Sequence, residues 1–327
     1  MTLKELHKKF GTQSKCIAYL EKLRWGKERA CIFCGSTSVK KRLLSIRWHC
    51  NSCNKDYSVL MGTIFEGTKL PLPKFFEIML LMNNAKMGMS AKEIQRNTGV
   101  RYQTAWYVCH RVRCAMIGAD NEFKLEGMVE FDEAYFGGKK RKKNLPANVP
   151  QLSGDGITTK RGRGTHKTSV VGAVEKKGRV YLKIMEKLSG KNLLAMLKEK
   201  VNTKDSIVVT DDFRSYKQFD KAVEHITIKH SEGYGSGVRT VNTIEGLWSI
   251  MKNGIKGSYR ALSKKYLPFY LAEYSYKFND RHLQTGSFLK LLENTVKNGN
   301  CMVDYKPKCD TKVIAYKSKQ CKKVTVF

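Results

Sequence analysis

Val129-Glu130-Phe131-Asp132-Glu133-Ala134-Tyr135-Phe136-Gly137-Gly138 is the stretch on which the fold turns. Val129 and Phe131 alternate with Glu130 and Asp132, the period of two that gives a β-strand one apolar face and sets the carboxylates on the other. The glycines mark a turn directly after it, so the strand would deliver an acid to the end of a sheet. An amphipathic strand with a merely solvated acidic face has the same pattern. Asp132 is the first catalytic candidate.

Two later stretches bear on that choice. Ser206-Ile207-Val208-Val209-Thr210-Asp211-Asp212 is a second apolar strand ending in carboxylate, and Asn242-Thr243-Ile244-Glu245-Gly246-Leu247-Trp248-Ser249-Ile250-Met251-Lys252 reads as a helix carrying a third acid. Asp132 and Asp211 lie on strands far apart in sequence, and Glu245 follows on a helix. Acids gathered at one place repel each other and need a compensating cation, and hard oxygen ligands suit Mg²⁺ or Mn²⁺. Asp212 beside Asp211 leaves two candidates for one role; the strand end favours Asp211.

The chain has 327 residues, too many for one small core, and suggests two or three domains. Lys and Arg number 61 against 29 Asp and Glu, a net charge of +32, which points to a polyanionic partner more than to charge kept for solubility. There is no run of 18 apolar residues and no signal-peptide core at the start, so the expectation is a soluble, cytoplasmic chain with no membrane partner, nucleoid-associated where the polyanion is DNA.

Cysteine spacing indicates metal, not disulfides. Cys31-x-x-Cys34 and Cys50-x-x-Cys53 are paired knuckles with the separation of a four-thiolate zinc ribbon, holding one structural Zn²⁺. A redox pair would need only one such motif. Cys109 and Cys114 fall in a helical pattern and read as core; Cys16, Cys301, Cys309 and Cys321 have no usable spacing.

In chain order, residues 1–66 combine an amphipathic helix (Leu3, Leu6, Phe10, then Ile17, Leu20, Leu23) with the ribbon, on which it is expected to pack. Lys40, Lys41, Arg42 and Arg47 lie between the knuckles, either to meet DNA phosphates or as the solvated face of a thin domain. Residues 67–122 turn helical. An apolar helix around Phe75 to Met82 precedes a short one that Ser90 caps with Glu93 in a capping box, and Gly99 turns the chain into a helix from about Tyr102 to Met116. Ala105, Val108 and Val112 would be its buried side, leaving Arg101, Gln103, Thr104, Tyr107 and Arg111 outside to contact DNA. That is a helix-turn-helix pattern, with a plain three-helix connector as the alternative.

Residues 123–290 are read as an α/β domain: a mixed sheet flanked by helices, in the order βββαβαβα. After the first strand come Lys139, Lys140 and Arg141, then a polar loop ending at Arg161 and Arg163, basic residues beside Asp132 placed either to clamp DNA over the site or as a solvated loop with no specific role. The basic tail, 291–327, carries eight lysines against Asp304 and Asp310 from about residue 296. The fold class expected is therefore α+β multidomain.

Four motifs gather these residues: Glu130-x-Asp132-Glu133-x-Tyr135-Phe136-Gly137-Gly138-Lys139, Thr210-Asp211-x-x-x-Ser215-Tyr216, Asn242-x-x-Glu245-x-x-Trp248-x-x-x-Lys252 and Gly257-x-Tyr259. With the ribbon and a late helix bearing Leu267, Tyr270, Glu273, Phe278, Asn279 and Arg281, they resemble the bacterial insertion-sequence DDE transposases of the ISXO2-like group, related to the Merlin elements. The likeness covers roughly residues 10 to 285. It implies an RNase H-like catalytic domain in which Asp132, Asp211 and Glu245 hold two Mg²⁺ or Mn²⁺ ions, with Lys252 at a phosphate near the scissile bond and Asn242 orienting a ligand or the DNA. It implies strand cleavage at the element's terminal repeats and strand transfer to double-stranded target DNA, by a homodimer or higher assembly in a bacterial host. Two departures stand out: Thr240 and Arg260 occupy positions where the family often has His, which leaves in doubt any DNA contact those histidines make. A decayed, DNA-binding regulator and a structure-specific RNase H-like nuclease are the alternative functions.

Overall fold

The computed structural model describes residues 1–117, 123–137, 167–228, 241–283 and 286–297, and the backbone of 301–303, 314–317 and 324–325. The chain divides into two compact units, Met1–Asn121 with Phe269–Val326, and Glu122–Pro268.

The first unit opens with two helices where the apolar pattern suggests one, α1 (Leu3–Phe10) and α2 (Gln13–Trp25). Thr12 interrupts the helix because its hydroxyl accepts from the Lys15 amide and so caps a new one. The ribbon follows as a three-stranded antiparallel sheet of β1 (Val39–Lys41), β2 (Arg47–Cys50) and β3 (Lys55–Ser58). Helix α2 packs on it as expected: the Trp48 indole donates to Glu21 at 2.9 Å, and Arg24 donates to the carbonyls of Val59 and Met61 at 2.8 and 2.7 Å.

Three helices continue the unit: α3 (Leu72–Asn84), α4 (Ala91–Thr98) and α5 (Tyr102–Met116). Phe75, Phe76, Ile78, Met79 and Met82 of α3 are fully buried. The Ser90 hydroxyl accepts from the Glu93 amide at the start of α4, and Gly99 ends that helix in the left-handed conformation (φ 72°), which glycine adopts without steric penalty. Ala105, Val108 and Val112 form the buried side of α5, with Cys109.

The second unit is built on a five-stranded sheet: β4 (Leu125–Phe136), β5 (Thr168–Glu175), β6 (Val180–Ile184), β7 (Val201–Asp211) and β8 (Glu224–Ile228), in the order β6-β5-β4-β7-β8. The pairs β4–β5 and β5–β6 are antiparallel, while β4–β7 and β7–β8 are parallel. The helix α6 (Gly190–Lys200), capped by Ser189, crosses from β6 to β7, and a 3-10 segment at Arg214–Lys221 joins β7 to β8. One sheet face buries Val129, Phe131, Val171, Ala173 and Val208 with Leu193, Met196 and Leu197 of α6, and with Tyr216 and Phe219. The helix α7 (Asn242–Gly254) contacts the other face, through residues detailed below.

Two further helices, α8 (Leu267–Asn279) and α9 (Gly286–Lys297), follow. The boundary expected at 290 is displaced to about 268, because Tyr276, Phe288, Leu291, Leu292 and Val296 share one core with Phe10, Leu20 and Phe76 of the first unit. A buried ionic cluster joins α8 to α5: Arg113 and Lys277 both donate to Glu273, at 2.7 and 2.5 Å. The tail adds a small antiparallel sheet, β9 (Cys301–Val303), β10 (Ile314–Lys317) and β11 (Val324–Thr325). Among the described residues no helix is long and apolar enough to cross a membrane.

Candidate active site

Asp132 and Asp211 meet because the sheet brings their strands together. Phe131 of β4 pairs in parallel with Thr210 of β7, so the next residue of each strand, Asp132 and Asp211, stands at the same end of the sheet. Val129 and Val208 pair on the α6 face, and alternation puts both aspartates on the opposite face. Carboxylate oxygens of Asp132, Glu133 and Asp211 all lie within 4.8 Å of one another. Asp211 Oδ1 also accepts from the Phe213 amide at 3.2 Å, whereas Asp212 is exposed and stands outside this group.

Glu133 is the member of this cluster that the sequence pattern does not select. Period two sends it to the face opposite Asp132, and the Tyr216 hydroxyl holds it there at 2.9 Å. Its carboxylate nonetheless reaches the other two at the strand end. Burial, then the charges of Glu133 and Asp211, push the Asp132 pKa up to about 7. A carboxyl held neutral in this way marks a site short of positive charge, and oxygen donors so closely spaced fit a divalent cation, for which Mg–O distances are about 2.1 Å.

The helix α7 is set against the sheet by three contacts. Glu130, two residues before Asp132 and fully buried, accepts from the Ile244 amide at 2.9 Å and the Thr243 hydroxyl at 2.7 Å. Val241 provides no side-chain cap for this helix, so a carboxylate from the strand does. Burial lifts the Glu130 carboxyl above its usual value, opposed by these donors. The Trp248 indole donates to Asp132 Oδ2 at 3.0 Å. Gly172, opposite Asp132 on β5, lets the helix approach, since a Cβ there would lie 2.8 Å from Trp248 Cζ2 and 3.0 Å from Ile244 Cδ1.

The remaining candidates are distributed as follows. Glu245 is half-buried on α7, one turn before Trp248, outside the close cluster of Asp132, Glu133 and Asp211. Asn242 starts α7 and is exposed, as is Lys252 in its last turn. On α5 and at its start, Arg101 and Gln103 are exposed, and Thr104, Tyr107 and Arg111 are partly buried. Arg111 is committed to the fold, since its guanidinium donates to the carbonyls of Ile64 and Glu66 at 2.7 and 2.6 Å and lies over the Tyr107 ring. Lys139, Lys140, Arg141, Arg161, Arg163 and Thr240 lie outside the described residues, and Arg260 is exposed with φ 66°.

In the ribbon, Cys31, Cys34, Cys50 and Cys53 converge, with Sγ···Sγ distances of 3.6 Å for Cys31–Cys53 and for Cys34–Cys50. A tetrahedral zinc with Zn–S of about 2.3 Å requires sulfurs about 3.8 Å apart, so the four thiols fit it. Among the described residues this and the acidic cluster are the groups of three or more His, Cys, Asp or Glu that could hold a metal.

A five-stranded sheet in which β5 alone runs against the other four strands, with aspartates side by side at the end of the adjacent parallel pair β4 and β7, defines the RNase H-like class. Within that class the sequence is specific. Residues 124–279 match the ISXO2-like transposase domain, and residues 11–56 match the transposase zinc-ribbon domain. An uncharacterized transposase-like protein of Haemophilus influenzae is 30% identical over 122 residues, covering 37% of this chain and 96% of that protein. A protein in the transposable element ISH50 of Halobacterium salinarum, also uncharacterized, is 26% identical over 276 residues, covering 81% of this chain and 90% of that one. The chain belongs to the ISXO2-like transposase family. Among solved structures, a pre-cleavage Mos1 transpososome shares 11% identity, covering 70% of this chain and 79% of that one, at a TM-score of 0.27. The mariner Mos1 paired end complex with Mg shares 12%, covering 72% and 81%, at 0.25. At these scores the fold assignment rests on the strand order alone.

Proposed function

We propose that this insertion-sequence transposase cleaves DNA at the ends of its element and joins those ends to target DNA, at a metal site held by Asp132, Asp211 and Glu245. The observation that carries this reading is the placement of Asp132 and Asp211 side by side at one end of the sheet, with Asp132 so buried, and so crowded by acids, that its pKa rises to about 7. Divalent ions bound there would polarise the phosphodiester and ease deprotonation of the attacking hydroxyl. Trp248 fixes the rotamer of Asp132, the Phe213 amide fixes that of Asp211, and Glu130 holds the helix that bears Glu245. Lys252, seven residues after Glu245 and so on the same helix face, meets a phosphate beside the scissile bond.

The chemistry balances without an external energy source. Hydrolysis breaks one phosphodiester and leaves a 3′-hydroxyl at the element end. That hydroxyl then attacks a phosphodiester of the target, forming one ester bond and releasing another. Recognition of double-stranded DNA falls to the ribbon and to α4–α5 as a helix-turn-helix, with Arg101 and Gln103 exposed at the start of its second helix. Lys139, Lys140, Arg141, Arg161 and Arg163 add phosphate contacts, and two protomers hold the two ends.

The test is incubation of the protein with Mg²⁺ and a supercoiled plasmid carrying the DNA that flanks the gene, resolved for cleaved and joined products. Ends cut and joined to new sites support the transposase. Binding without cleavage would leave a DNA-binding regulator, and cleavage that ignores the ends would leave a nuclease.

A further inference from the structure

The most exposed apolar side chains of the described molecule sit together at the tip of the ribbon hairpin. Leu43 is 94% exposed and Leu44 109%, with Ile46 beside them at 40%. The loop is closed by a hydrogen bond from the Arg42 amide to the Arg47 carbonyl at 3.0 Å, and the Ser45 hydroxyl accepts from the Arg47 amide. Leu44 has φ 53°, in the left-handed region where Gly or Asn is ordinarily selected. This position therefore carries a residue that suits neither its solvent exposure nor its backbone. Such an outlier indicates a role for the side chain outside the fold itself.

Its surroundings say what kind. Lys40, Lys41 and Arg47 are exposed on the two strands that present the tip, and Arg42 stands at its base, paired to Asp56 at 3.2 Å. Lys40 pairs with His49 and Lys41 with Trp48, so the cations sit within a few residues of the leucines along one ribbon. An apolar tip flanked by cations fits a polyanion with an apolar interior. It does not fit another copy of this chain, whose net charge is +32. Leu and Ile are residues that wedge between base steps from the minor groove while neighbouring Lys and Arg hold the phosphates.

We propose that Leu43 and Leu44 form a DNA wedge: the ribbon hairpin enters the minor groove, and its tip unstacks a flexible pyrimidine–purine step while Lys40, Lys41 and Arg47 hold the flanking phosphates. The proposal rests on the reading of the protein as a DNA transposase and adds a contact that the acidic site does not supply. It makes the ribbon a reader of DNA deformability, favouring TA and CA/TG steps.

The test uses full-length, zinc-loaded protein and a duplex carrying the flanking terminal repeat, with 2-aminopurine placed in turn at each pyrimidine–purine step. Wild-type protein is expected to raise the fluorescence at one step. The variant L43S/L44N touches no core residue and puts Asn where φ is positive. It is expected to keep its zinc, to lose the fluorescence rise and to bind about tenfold more weakly, with the salt dependence unchanged. The variant K40A/K41A/R47A is expected to lower the slope of log K against log salt by about 2–3, near 0.9 per phosphate contact. Wild-type fluorescence that L43S/L44N reproduces would overturn the wedge while leaving DNA binding intact. A Leu variant that changes only the oligomeric state would overturn it in favour of a protein interface. Failure of wild type to bind the duplex at all would overturn the functional reading and the wedge with it.

Discussion

Gly172→Ala is the substitution whose effect follows most directly from the packing. A Cβ at this position would lie 2.8 Å from Trp248 Cζ2 and 3.0 Å from Ile244 Cδ1, against about 3.5–4.0 Å for an ordinary carbon contact. The shortfall of about 0.7 Å falls on a buried indole, not on the end of a flexible chain, so α7 must retreat or Trp248 must turn. Moving the indole by that amount would stretch its 3.0 Å bond to Asp132 to about 3.7 Å, beyond hydrogen-bonding range. Overpacking of this kind costs about 1–3 kcal/mol. A displacement of nearly 1 Å in the helix carrying Glu245 would lower the cleavage rate by about 10²-fold. Urea unfolding and single-turnover cleavage measure the two effects, and W248F supplies the control because phenylalanine lacks Cζ2 and Cη2. In the W248F background the same Ala substitution is expected to cost about 1–2 kcal/mol less, a coupling that contacting residues show and distant ones do not. Additivity of the two substitutions within about 0.5 kcal/mol would refute the close-approach role of Gly172.

Other consequences concern the charges and the ribbon. The folded pKa of Asp132 is raised to about 7 from an ordinary 3.8, so the native state binds the extra proton between those values and metal-free stability falls as pH rises from about 4 to 7. D132N should therefore be about 2–4 kcal/mol more stable than wild type at pH 8 without Mg²⁺, and no more stable at pH 4, in paired denaturation curves. For Glu273 burial alone would raise the pKa, but Lys277 and Arg113 hold it down to about 2, so its contribution is present above about pH 4.5 and is lost as pH falls through 2. E273Q leaves two buried cations uncompensated and should cost about 3–5 kcal/mol at pH 7, read from urea midpoints. Cys50→Ser should release zinc, measured by elemental analysis, and abolish the ribbon's chemical-shift dispersion while leaving that of β4–β8 in place.

Legibility in the sequence follows the range of the physical signal. The strands of Asp132 and Asp211 are readable because period-two alternation is local, and the ribbon because thiolate spacing is local too. The register that sets the two aspartates side by side is not written in either strand. Glu133 escapes the pattern because alternation assigns it to the far face, which holds for its backbone but not for the reach of a longer side chain at a strand end. Glu130 reads as one more acid and not as the cap of α7, since its partners Thr243 and Ile244 lie more than a hundred residues away. Trp248 has the spacing of a core residue and is one, yet its indole also holds Asp132. Gly172 interrupts an apolar strand, which is a local signal of close backbone approach, but the helix that approaches it is not local. The domain boundary expected at 290 comes from the run of elements along the chain, whereas α9 is held by the core it shares with α1 and α3, which no local pattern reveals.

If the acids gathered at the sheet end perform the DNA chemistry, single-turnover cleavage of an end-bearing duplex in Mg²⁺ must depend on them. The variants are D132N, D211N, D212N, E133Q and E245Q, with DNA binding measured alongside. The expected result is a loss of at least about 10³-fold for D132N, D211N and E245Q with binding intact, and a near-normal rate for the exposed D212N. Loss in D212N with D211N unaffected, or cleavage indifferent to Asp132, would contradict it.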